Sequence, residues 1–183
     1  LRLENAVVAC VKFLWKMALP FDLTFFYPYP VSVPAWKVTG AAIVLISITS
    51  LAIWWVRRRT YFLFGWLWYL GTIFPVLGIM QGGQWPEIAE RWAYIPLIGI
   101  YVVIAWGTLE VIERLSGTML GKPAAAVPVV VTACLVVLTW NQAGYWKDDF
   151  TLYTHGVTVN PDNFVAQNNL GNALLEMGRV DEA

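Results

Sequence analysis

Four long apolar stretches govern what this chain can fold into. Residues 35–56, 61–80, 94–115 and 124–140 are each near the twenty or so apolar residues a helix needs to cross a bilayer. In hydrocarbon every backbone polar group must be bonded within its own segment, so such stretches fold as helices. Composition agrees, with 58% hydrophobic residues and only 13% charged, too few charges for the surface of an ordinary soluble domain. The formal net charge is zero, which leaves no electrostatic argument for nucleic acid as a partner.

Arg57-Arg58-Arg59 closes the first stretch and fixes an orientation, because short basic loops stay on the cytoplasmic side. Alternating the spans from there places the loop after residue 80, and everything after residue 146, outside the cytoplasm. Aromatic residues mark the boundaries: Trp36, Trp85, Trp92, Tyr145 and Trp146 on the outer side, Trp54, Trp55 and Tyr61 on the inner. The membrane domain is expected over residues 35–146. Pro75 is expected to kink its helix, while Pro96 and Pro128 lie near enough to helix starts to be tolerated. The Gly78 to Gly82 spacing matches a small-residue helix contact, or an ordinary loop.

Residues 1–34 read differently. Over 3–19, Asn5, Ala9, Lys12 and Lys16 share one helical face and Val7, Val11, Leu14 and Ala18 the opposite one. Two readings are open: an amphipathic helix lying in the outer interface, or a short span buried among other helices. The stretch from Pro20 through Pro28, Pro30 and Pro34 cannot be regular helix. It reads as an aromatic outer loop at headgroup depth.

Residues 147–183 change character. From Asn163 the chain reads Asn-Phe-Val-Ala-Gln-Asn-Asn-Leu-Gly-Asn-Ala-Leu-Leu-Glu-Met-Gly-Arg-Val-Asp-Glu-Ala. Leu170 and Gly171 fall at the adjacent Leu-Gly of a tetratricopeptide repeat, Ala173 at its small position, Gly178 at the turn and Ala183 at the small position of the second helix. Pro161 then closes a preceding repeat, whose second helix is expected over 148–159 with Tyr153 at its large position and Gly156 at a small one. Gln167 and Asp149 depart from the pattern, so the upstream half reads as a capping helix. Such repeats stack into grooves that bind peptide. A repeat runs to about 34 residues; with Leu1 at one end and Ala183 at the other, the chain is expected to be part of a longer protein.

The fold class expected is therefore all-α: polytopic membrane helices followed by a soluble tetratricopeptide helical hairpin. Cys10 and Cys134 lie in apolar runs and read as buried and inert, and His155 as a surface or packing residue. No metal site is expected.

Residues 81–99 concentrate Glu87, Glu90, Arg91 and Tyr94 at the outer boundary. An arginine there, flanked by tryptophans, can hold a lipid-linked phosphate with two parallel hydrogen bonds. It can equally be an interfacial anchor, ion-paired to Glu90 or Glu87.

The Glu90-Arg91-Trp-Ala-Tyr94-Ile-Pro96-Leu-Ile-Gly99 string, the two spans after it, Tyr145-Trp146-Lys-Asp, and the repeat with Pro161-Asp-Asn163 together resemble a family. Asp22-Leu23 and Tyr27-Pro28 fit it too. The family comprises bacterial polytopic proteins with C-terminal tetratricopeptide repeats, related to protein O-mannosyltransferases and to the animal transmembrane repeat-bearing mannosyltransferases. The resemblance implies a membrane glycosyltransferase of the C-type fold that moves a sugar from a polyprenyl-phosphate donor to a protein acceptor, with the repeats recruiting the acceptor. It implies a multi-pass protein, in a bacterial inner membrane, with a periplasmic repeat region. No cofactor is expected, the lipid-linked sugar being itself the substrate. The family's catalytic acidic residue belongs to a first outer loop that these residues do not include, so no catalytic residue is assigned. Arg91, Glu90 and Tyr94 are the phosphate-binding candidates that the matched string supports. A non-catalytic membrane-anchored repeat scaffold is the alternative; a transporter is disfavoured by the lack of an ionisable residue at mid-span.

Overall fold

The computed structural model describes residues 1–79, 86–118 and 121–182, and among them there is no strand. Seven α-helices run in order through these residues: α1 Arg2–Ala18, α2 Ala35–Trp55, α3 Thr60–Ile73, α4 Tyr94–Leu115, α5 Gly121–Gly144, α6 Asp149–Val159 and α7 Phe164–Glu176. Three segments are long and apolar enough to cross a membrane: Ala35–Trp55, Glu90–Leu115 and Pro123–Gly144. The chain is thus an all-helical membrane protein with a smaller helical hairpin at its end.

The stretch expected as a span over 61–80 is shorter than that. Helix α3 has 14 residues and gives way to a 3-10 turn at Phe74–Val76. Pro75 cannot donate to a carbonyl one turn back, so it stops the helix instead of kinking a longer one. Met80 lies outside the described residues, as do Gln81 to Trp85. At α5 the difference runs the other way: the helix starts at Gly121, which leaves Pro128 inside it, two turns from the start. Cys134, expected to be buried, is exposed on that helix, whereas Cys10 is buried as expected.

Helices α3 and α4 make the most extensive helix contact among the described residues, and glycines explain it. A Cβ built on Gly65 would overlap the carbonyl oxygen of Gly99, and one on Gly99 would overlap that of Gly65. The two backbones touch where neither residue has a side chain, which is how helices associate where lipid removes the hydrophobic drive between them. The close approach described is here; the Gly78 to Gly82 spacing ends at a residue outside the described ones. Polar bonds flank the crossing. The Trp68 indole donates to the Ile95 carbonyl at 2.9 Å, and at the other end Arg59 and the Tyr61 hydroxyl both reach the Glu110 carboxylate.

Helix α1 buries Asn5, Ala6, Ala9, Cys10 and Phe13. The face that reads as polar is the one turned into the protein: Asn5 and Ala9 are small enough to let α1 approach α2. The Tyr69 hydroxyl of α3 donates to the Cys10 carbonyl at 2.5 Å. Helix α1 thus packs against the body through one face and leaves Leu3 and Trp15 exposed on another, which both open readings allow.

The Arg59–Glu110 contact puts the turn between α2 and α3 at the C-terminal end of α4. Glu90 stands before the N-terminal end of that helix, and at 1.5 Å per residue Tyr94 and Glu110 are ~24 Å apart along the axis. The arginine turn and the 86–93 segment therefore occupy opposite ends of the membrane body.

Candidate functional site

The 86–93 segment faces two ways. Pro86, Ile88, Ala89 and Ala93 are buried, Glu87 and Glu90 turn inward, and Arg91 and Tyr94 point outward. Two neighbours on the chain that read as a pair, Glu90 and Arg91, thus belong to different surroundings.

The inward carboxylates are held by α1 and by residues 19–34. Lys12 pairs with Glu87 at 2.5 Å, and the Glu87 N–H donates to the Tyr27 carbonyl at 2.9 Å. Glu90 Oε1 accepts the Tyr27 hydroxyl at 2.7 Å and lies 3.2 Å from the Thr24 N–H. Lys16 donates to the Phe21 and Asp22 carbonyls at 2.6 and 2.9 Å, gripping a bend where Asp22 takes a φ of 52°. Asp is among the residues that tolerate this left-handed conformation. Burial raises the pKa of the Tyr27 phenol, and the bond to Glu90 raises it further, so Tyr27 stays a proton donor.

Those two carboxylates are therefore engaged, and the alternative of an Arg91 pair with either of them is not what the structure shows. The Arg91 guanidinium lies 5.9 Å over the Trp92 ring. No carboxylate among the described residues lies within ion-pair distance of it. Tyr94, three residues on and 74% exposed, opens α4 beside it. This leaves one unneutralised, planar cation on an aromatic shelf at the end of a membrane helix, chemistry suited to an anionic oxygen cluster. Trp85 lies outside the described residues.

Residues 19–34 do more than rest at an interface. The Leu23 carbonyl lies 3.0 Å from His155 Nε2 in α6 and 3.3 Å from Gln142 Nε2 near the end of α5. The Phe26 carbonyl accepts Asn163 Nδ2 at 2.8 Å, Phe25 packs edge-on against Tyr153, and Phe26 against Phe164. His155 is stacked on Tyr145 with ring centroids 3.7 Å apart, a packing role, one of the two left open by its isolation. One strap thus joins the membrane body to the terminal hairpin and sets that hairpin at the same end as Arg91.

In the hairpin, Ala173 is buried, Leu170 and Gly171 are half-buried, and Gly156 packs on Ala166. Gly178 has a φ of 75° and ends α7: its N–H bonds to the Leu175 carbonyl and that of Arg179 to the Leu174 carbonyl. That paired arrangement requires the left-handed conformation glycine supplies. Ala183 lies outside the described residues. Among those described, no cluster of three metal-ligating side chains occurs.

Thr24 and Tyr27 are the site residues that sequence reasoning missed. Their signal was indirect: Lys12 and Lys16, one turn apart, face Glu87 and Glu90, three apart, and the strap between needed a polar residue at the meeting point.

No family model matches the chain, and no solved structure matches it. It is 33% identical over 100 residues to the Xenopus laevis protein named protein O-mannosyl-transferase tmtc2, covering 52% of this chain and 11% of that one. Against Caenorhabditis elegans protein O-mannosyl-transferase F38B6.6 it is 30% identical over 97 residues, covering 53% and 13%. Against Drosophila melanogaster protein O-mannosyl-transferase Tmtc3 it is 28% identical over 96 residues, covering 52% and 10%. The chain thus spans about a tenth of the length of these relatives, with homology over about half of its own.

Proposed function

We propose that the chain is part of an integral-membrane glycosyltransferase that moves a sugar, mannose in the relatives' names, from a polyprenyl-phosphate donor to a protein on the non-cytoplasmic face. The observation that carries this reading is the Arg91 guanidinium, with no carboxylate among the described residues at ion-pair distance and set over Trp92 at the hairpin's end of the membrane body. Similarity to proteins named O-mannosyl-transferases supplies the reaction class. In this reading Arg91 grips the donor phosphate, Tyr94 offers a hydroxyl beside it, and Glu90 positions the segment through Tyr27 and Thr24 without touching the donor. The phosphate is the leaving group, and a fixed cation stabilises the charge it gains as the glycosidic bond breaks. The hairpin, as the start of a tetratricopeptide array, recruits the acceptor. The arginine turn at residues 57–59 faces the cytoplasm.

Sugar transfer and polyprenyl-phosphate-sugar binding by the complete protein test this. Arg91→Lys keeps the charge but not the two-pronged geometry and is expected to lose roughly tenfold, and Arg91→Ala roughly a hundredfold. Helix content and thermal unfolding stay unchanged, because Arg91 is exposed. Normal transfer by a folded Arg91→Ala protein would reduce Arg91 to an interfacial anchor and favour the scaffold reading.

A further inference from the structure

Between α1 and the start of α2 lies a cleft of about 690 Å3 that a donor site at Arg91 leaves unused. Its walls are chiefly apolar, with Val8, Val11, Val33 and Val44 facing the space and Trp15 and Trp36 beside them. The volume is in the range of sites that enclose one small ligand. It follows α2 from Lys37 in the first turn to Val44 two turns deeper, so it opens at the membrane boundary and extends into the span.

Its polar groups are few and specific. Asn5 lines the cleft and is wholly buried. Burial raises the pKa of the Tyr29 phenol, and the neighbouring Asn5 side chain is among the groups that pull it back down, so the two polar side chains meet each other. The polar atoms of Asn5 are shut off from the open space, so what the cleft takes is decided by the rest of its lining. The charges at the mouth indicate what. Lys12 is offset by Glu87 at 2.5 Å, while the Lys37 ammonium rests 5.5 Å over the Trp36 ring with no carboxylate at ion-pair distance among the described residues. The mouth is net positive, the floor is apolar, and the site lies beside a membrane-crossing helix. Basic pockets between such helices take anionic lipid headgroups.

We infer that the cleft seats one chain and the phosphate of an anionic membrane phospholipid, which wedges α1 against α2 with Lys37 at its head. This site is separate from the Arg91 one and stands whether or not that assignment holds.

Native mass spectrometry of the complete protein, released from vesicles containing equal phosphatidylglycerol and phosphatidylcholine, tests it. The expected result is one retained phosphatidylglycerol. A Cβ on Gly40 meets nothing within 4 Å, and Gly40 lines the cleft, so Gly40→Leu puts a side chain toward the space from an unobstructed position. Retention should fall at least tenfold in Gly40→Leu, Lys37→Gln should abolish the preference for phosphatidylglycerol, and Arg91→Ala should change neither. Undiminished retention in Gly40→Leu, or equal retention of both lipids by the unaltered protein, would overturn the inference. Displacement of the phospholipid by an equal concentration of polyprenyl phosphate would overturn it as well, making the cleft the donor's own chain site.

Discussion

Helices α3 and α4 and helices α6 and α7 are two antiparallel pairs built on the same device, a glycine at the crossing, and they differ in what the glycine faces. In the membrane pair each glycine meets the other's backbone, so nothing nearby can yield. In the terminal pair a Cβ on Gly156 would meet the edge of the Phe25 ring at 3.0 Å, a side chain that can shift by a few tenths of an ångström, and the Ala166 Cβ at 3.2 Å, which moves only with α7. The first pair depends on close contact and the polar bonds that flank it, because lipid offers no penalty for separation of apolar faces. The second depends on burial from water and on capped ends: Asp148 accepts from the Thr151 N–H and Asn163 from the Ala166 N–H. Close backbone approach is thus a requirement in one and a convenience in the other.

The largest effect should come from breaking the membrane crossing. Gly99→Leu forces the helices apart, since besides the Gly65 carbonyl its Cβ would lie 2.9 Å from Trp68 Cδ1. A cost of about 3 kcal/mol or more is expected, the upper end of overpacking penalties. Gly71→Leu, on the same helix pair but in open space, should be neutral or slightly stabilising. Thermal unfolding in detergent compares them. Equal melting temperatures for the two variants would show that the crossing is not what holds α3 to α4.

A smaller effect is expected at the joint between the two regions. Asn163 is wholly buried, caps α7 and donates to the Phe26 carbonyl of the strap. Asn163→Ala loses the cap and orphans that carbonyl, together about 2–3 kcal/mol. Asn163→Asp keeps the cap but cannot donate to Phe26, so it should destabilise docking of the hairpin while leaving α7 intact. Amide hydrogen exchange separates these outcomes. Identical protection of residues 164–176 in both variants would mean that the cap and the strap bond are not separate contributions.

Most of the helices are legible in the sequence because each rests on a local signal: apolar length for α2, α4 and α5, and the Pro161-Asp-Asn163 sequence with Gly178 for α7. The features that are not legible depend on contacts distant in sequence. Glu90 and Arg91 are adjacent and read as one constellation, yet Glu90 is claimed by Tyr27, 63 residues away. The loop at 19–34 reads only as aromatic and proline-broken, since nothing local says that its carbonyls would bind Gln142, His155 and Asn163. Gly65 and Gly99 lie in separate helices and make no short-range motif. Pro75 is conspicuous in the sequence, but whether a proline kinks or ends a helix depends on the residues after it, and α3 has too little helix beyond to continue.

The smallest effect belongs to the exposed end of the terminal hairpin and separates a charged cap from a neutral one. Asp148 caps α6, and its carboxyl is held below the ordinary range first by the Thr151 side chain, then by the Thr151 N–H, with Lys147 adding its charge. A depressed folded value means that the unfolded chain binds the proton more readily. The stabilisation is therefore present above the unfolded value of about 4 and is lost as pH falls through the lower folded one. Asp148→Asn keeps an oxygen to accept from Thr151 but carries no charge, so the hairpin should lose this part of its pH dependence and little else. The corresponding membrane pair has no such terminus, and its melting should not distinguish the two proteins. Hydrogen exchange of residues 149–159, recorded between about pH 5 and pH 2 at low salt and corrected for intrinsic exchange, compares them, since screening weakens an exposed charge. Parallel protection curves for the unaltered protein and the Asp148→Asn variant would show that the cap acts only as a neutral acceptor and that the carboxylate's charge contributes nothing to holding α6.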